Sequence, residues 1–72
     1  MNQYNTEAER FLKDRGIIVL PLPDGYIIRV NNRDGSIPFR IEGDEMDAIL
    51  SLGRITRLEV LTTEIRIEVT KT

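Results

Sequence analysis

The chain has 72 residues, a net charge of −2, no cysteine and no histidine. That length allows one domain. The missing cysteine excludes a disulfide framework and a zinc finger, and the missing histidine removes the commonest general base and transition-metal ligand.

The mildly acidic balance provides no bulk attraction to nucleic acid or anionic lipid. The positive charge is nearly all arginine, with Lys13 and Lys71 the two lysines, which favours planar, bidentate contacts. Area scaling gives ~4,600 Å² folded against ~12,000 Å² extended. Burial then contributes on the order of 110 kcal/mol, and ordering the chain costs about as much. A monomer of this size is marginal, so dimerisation or a partner would add stability. No apolar run approaches membrane-spanning length, and Met1 to Asn5 lacks the basic-then-apolar pattern of a signal peptide, so a cytoplasmic location is expected. Residues 1–5 are a candidate disordered lead-in to a single domain.

Thr6 to Arg15 predicts a helix. Thr6 and Glu9 have capping-box spacing, Gly16 stands where a helix stops, and Ala8, Phe11, Leu12 and Arg15 share one face. The run Ile17-Ile18-Val19-Leu20 predicts a strand. Pro23-Asp24-Gly25 suits a three-residue hairpin loop with a left-handed glycine, which pairs Leu22 with Tyr26, Leu20 with Ile28 and Ile18 with Val30. After the strand from Tyr26 to Asn32, Asp34-Gly35 suits a second hairpin that pairs Val30 with Phe39 and Ile28 with Ile41. Pro38 in that third strand demands an edge or a bulge.

Gly43-Asp44 ends the third strand and opens a second helix, Glu45 to Leu52, with Asp44 as N-cap and Gly53 closing it. The last segment alternates in two phases, Leu58 and Val60, then Ile65, Ile67 and Val69, so a turn is expected at residues 61–64. Folding there opposes Val60 to Ile65 and Leu58 to Ile67, and sets Arg57 against Glu68 and Glu59 against Arg66. The apolar and charge patterns choose one register.

The expected fold class is α+β: a single small domain, order α-β-β-β-α-β-β, with a mainly antiparallel sheet and both helices on one face. The expected core face carries Ile18, Leu20, Ile28, Val30, Phe39, Ile41, Leu58, Val60, Ile65 and Ile67.

No chemistry of catalysis is legible. The serines and threonines have no histidine partner, and Gly25, Gly35, Gly43 and Gly53 each punctuate a different boundary rather than forming a phosphate loop. Glu42, Asp44, Glu45 and Asp47 read as capping and dipole complementation rather than a metal site. The order α-β-β-β-α is shared with double-stranded-RNA-binding domains. Their second helix starts with basic residues, however, and here the acidic start would repel phosphate, so the shared order implies no kinship.

The outer face of the sheet is the more informative surface. The expected registers put Ile17, Val19 and Ile27 together there, beside Arg29 and Arg40 directly opposed across the second hairpin. Two opposed arginines need an answering charge, from a partner or from Glu42 or Glu59 of this chain. An apolar centre with arginine anchors is the anatomy of a protein interface. These five residues are the candidate partner-binding set, for a protein partner or for self-association as a homodimer. The expected class is a non-catalytic interaction module, a small prokaryotic or phage-encoded regulator or inhibitor, with no cofactor and no metal. The alternatives are a nucleic-acid binder using Arg29, Arg33, Arg40, Arg54 and Arg57, or a structural subunit of a larger complex.

Overall fold

A computed structural model describes residues 3–31 and 41–71, with side chains from Thr6 onward. Helix α1 spans Gln3–Asp14, strand β1 Ile18–Leu22, strand β2 Gly25–Asn31, helix α2 Gly43–Leu52, strand β3 Arg54–Val60 and strand β4 Glu64–Thr70. Among the described residues the order is therefore α-β-β-α-β-β. The fold is α+β, a four-stranded antiparallel sheet with the helices on one face.

Helix α1 begins at Gln3, so Thr6 lies inside it and cannot cap it. Nothing between Gln3 and Thr6 breaks a helix, and the helix takes in the last three residues of the expected lead-in, from Gln3. Its end follows expectation. Gly16 adopts φ +82°, its N–H donates to the Lys13 carbonyl at 3.0 Å, and the Ile17 N–H donates to the Leu12 carbonyl at 3.1 Å. These are the two bonds of a Schellman motif, and Leu12 and Ile17 are both buried against the core beside it.

The sheet order is β1-β2-β4-β3. The β3–β4 pairing has the register read from the sequence: Val60–Ile65, Glu59–Arg66, Leu58–Ile67 and Arg57–Glu68, with a bulge between Ile55 and Arg57. The β1–β2 hairpin differs by one residue. Its loop is Pro23-Asp24 alone; Leu22 pairs with Gly25, Leu20 with Ile27 and Val19 with Ile28. Gly25 is a strand residue with no positive φ, and a Cβ there would run into the Val69 carbonyl. A one-residue slip exchanges the faces of a strand. Ile17 and Val19 are consequently buried in the core, whereas Leu20 is 43% exposed.

Strand β2 has partners on both edges. Val30 pairs with Ile65 and Ile28 with Ile67 across β4, in place of the expected Phe39 and Ile41. The expected third strand falls mostly outside the described residues, as do Phe39 and Pro38; its described end, Ile41 and Glu42, is not in a strand. Ile41 packs against the core, and Glu42 is the N-cap of α2, two residues before the expected Asp44.

The core is Ala8 and Leu12 from α1, Ile49 and Leu52 from α2, Ile17, and the inner sheet face of Val19, Tyr26, Ile28, Val30, Ile67 and Val69. Helix α1 lies toward β1 and α2 toward β4. Leu58 and Val60 share the inner face with Ile67 and Ile65 but lie beyond the helices, 51% and 67% exposed. They are therefore not core residues, contrary to the sequence-based expectation. The Lys71 N–H donates to the Asp24 carbonyl at 2.8 Å, which ties the end of β4 to the first hairpin loop.

Candidate interaction surface

The three registers assemble the outer face into rows. One runs Ile18, Arg29, Arg66, Glu59; the next Leu20, Ile27, Glu68, Arg57; the third Leu22, Gly25, Thr70, Arg54. The face is thus apolar over β1 and the start of β2 and charged over β4 and β3. Among the described residues, no helix covers it.

Of the five candidate residues, Ile27 and Arg29 are on this face, both half-buried. Ile17 and Val19 are not, because the hairpin slip turns them into the core. Their places are taken by Ile18, Leu20 and Leu22, of which Leu20 and Leu22 are exposed. Arg40 lies outside the described residues, as does Arg33. An apolar group does lie over the first strands, but its members are Ile18, Leu20, Leu22 and Ile27, not the expected Ile17 and Val19.

Arg29 does stand opposite an arginine, but it is Arg66 of β4. The answering charge is Glu64, which is 4% exposed. Its Oε1 accepts from Arg29 Nε at 2.9 Å and Nη2 at 2.7 Å, and its Oε2 accepts from Arg66 Nε at 3.3 Å and Nη2 at 3.2 Å. Each carboxylate oxygen is occupied by one guanidinium. The Arg29 hydrogen bond holds the Glu64 carboxyl below its usual range, against burial, which acts in the opposite direction; the Arg29 charge and the contacts of Arg66 add to the lowering. The same contact raises the Arg29 guanidinium above its usual value. Glu64 was expected in a turn. Its alternation with Arg66 and Glu68 along one strand face is the signal that places it on the sheet.

The charge pairs on β3 and β4 form within strands. Arg57 Nη2 lies 3.2 Å from Glu59 Oε2, and Arg66 bonds Glu64 rather than Glu59. The cross-strand register therefore holds without the cross-strand ion pairs. The other charged cluster joins the helices. Arg15 bonds Asp44 at 2.9 Å, lies 3.4 Å from the fully buried Glu45 and stacks over the Phe11 ring at 4.4 Å. Glu45 Oε1 also accepts from the Glu42 N–H at 2.9 Å. Glu45 is the buried charge that hydropathy alone misses. It sits four and seven residues before the buried Ile49 and Leu52, on one helix face.

Between α1 and α2 an open groove of about 370 Å³ has Ala8, Phe11 and Ala48 on its floor and Glu7, Asp44, Asp47 and Ser51 around it. Among the described residues, no three acidic side chains converge closely enough to hold a metal ion. Carboxylates answer Arg15, Arg29, Arg57 and Arg66. No described helix is long and apolar enough to cross a membrane. Comparisons with protein-family models, curated proteins and solved structures give no match.

Proposed function

We propose that this chain is a non-catalytic interaction module, a small regulator or inhibitor that works by docking a protein partner on the outer face of its sheet. The supporting observation is the apolar group Ile18, Leu20, Leu22 and Ile27, continuous across β1 and β2 on a face that no described helix covers. Arg29 borders this group with its guanidinium already oriented by Glu64. An anchor held in place before binding loses less conformational freedom on association. The charged half of the face, over β4 and β3, supplies a polar rim.

The reading is tested by capture from a lysate of the source organism on immobilised wild type, Leu20→Asp and Ile27→Asp. Both substitutions place a charge in the apolar group without entering the core, so circular dichroism should stay that of wild type. The expected result is one protein retained by wild type and released by both variants. Equal capture by all three, with the fold intact, would remove the outer face as the binding surface.

A further inference from the structure

Strand β3 is an edge of the sheet, and among the described residues no strand pairs with its outer side. The opposite edge, β1, carries Pro21, one of the usual devices that stop an edge from recruiting another strand. Strand β3 carries no proline. Its backbone polarity can be read from the turn. The Leu61 N–H donates to the Glu64 carbonyl at 2.8 Å, so that pair is hydrogen-bonded. Alternation along an antiparallel ladder turns the backbone groups of Glu59 and Arg57 toward β4 and those of Leu58 and Val60 outward. The residues with outward backbone groups are also the two whose apolar side chains the helices leave uncovered.

We propose that the occupant of this edge is a second copy of the chain, paired antiparallel through β3 about a two-fold axis at Leu58, so that the two sheets join into one of eight strands. The charge pattern selects this register. An axis perpendicular to the sheet keeps each face on its own side, so only residues of the same face can oppose one another. Centring on Arg57 sets Arg57 against Arg57 of the second copy, and centring on Glu59 sets glutamate against glutamate. Centring on Leu58 sets Arg57 against Glu59 twice over, and Leu58 against Leu58 of the second copy on the helix side. Opposite charges directly across a ladder are favourable and like charges are not. Leu58 then forms a hydrogen-bonded pair with itself across the axis, as its outward backbone groups require. The bulge before Arg57 bends the strand away and limits the joined segment to its C-terminal half.

This edge lies away from the apolar group over β1 and β2, although Arg57 and Glu59 also stand in the charged half of the outer face, and the experiment distinguishes the two. Sedimentation equilibrium should show wild type dimerising with concentration. Arg57→Glu makes both charged positions of the joined segment acidic and Glu59→Arg makes both basic, so each should weaken self-association about ten-fold or more. An equimolar mixture of the two variants should recover a dimer. That recovery also shows that both variants are folded. The chain has no cysteine, so Leu58→Cys introduces a single thiol. The α-carbons of a hydrogen-bonded pair are about 5.5 Å apart, within disulfide reach. Leu58→Cys should therefore give a covalent dimer on mild oxidation, and Val60→Cys should not. Wild type that stays monomeric up to about 1 mM, the weak end of measurable affinity, would overturn the proposal. So would a dimer that survives Arg57→Glu and Glu59→Arg but is lost in Leu20→Asp.

Discussion

Arg29 and Arg66 stand directly opposite each other across β2 and β4, and one buried carboxylate, Glu64, holds both. Two like charges in register would by themselves disfavour this central pairing. Glu64 converts the repulsion into a clamp between strands far apart in the chain, which makes the β2–β4 junction dependent on the ionisation of one group.

That dependence has a sign. The folded state holds the Glu64 carboxyl below its usual value, while the unfolded chain keeps it at the ordinary glutamate value. Between the two values the unfolded chain binds the extra proton, so stability rises with pH there. The contribution of Glu64 is complete above the unfolded value and is lost as pH falls through the folded one. Glu64→Gln should be less stable than wild type at pH 7, and the gap should close on acidification. Urea unfolding across the acid range measures it; a gap that stays constant would contradict the assignment.

The slip in the first hairpin is tested by neighbours in sequence. Val19→Asp puts an unpaired charge into the core and should unfold the domain. Leu20→Asp, one residue along, should change stability by no more than about 0.5 kcal/mol, as surface changes do. As a reference for core damage, Ile28→Ala should cost roughly 2–5 kcal/mol. Under a three-residue loop the effects at positions 19 and 20 would be reversed, so circular dichroism of the two aspartate variants decides.

The C-terminal register makes a weaker but cleaner prediction. Arg57 lies directly opposite Glu68 while its side chain bonds Glu59. Arg57→Glu should cost roughly 0.2–1 kcal/mol, because it faces a glutamate across the ladder. Adding Glu68→Arg should restore most of that loss. Additive effects in the double-mutant cycle would mean that the two positions are not opposed.

Two glycines should respond with opposite signs. Gly16 has φ +82°, and Gly16→Ala should cost about 1–2 kcal/mol whatever the space around it. Gly43 opens α2 without a positive φ, and a Cβ there meets nothing within 4 Å. Gly43→Ala should stabilise by about 0.4–1 kcal/mol, chiefly by restricting the unfolded chain. Thermal unfolding of the two variants against wild type checks both signs.

The register of the β3–β4 hairpin from Arg57 to Glu68 was legible from the sequence, because the strands are joined by a short turn and two independent patterns, apolar and charged, agree on it; the place of Glu64 in the strand and the bulge before Arg57 were not. The stop of α1 at Gly16 and the existence of α2 were legible for the same local reason: backbone conformation and end groups depend on residues within a turn of each other. The first hairpin was not. Ile17-Ile18-Val19-Leu20 is apolar on both faces, so a slip by one residue leaves the pattern intact, and Pro23-Asp24-Gly25 accepts a loop of two residues or three. The core and outer-face roles of Ile17, Val19, Leu20 and Ile18 followed that undetermined choice. Strand order lay further out of reach. The pairing of β2 with β4 joins residues separated by more than a helix and a strand, and no local propensity encodes which distant edge a strand will meet. Only the tertiary structure could therefore set Arg66, not Arg40, opposite Arg29, bring Glu64 between them, and leave Leu58 and Val60 on the core side of the sheet but beyond the reach of either helix.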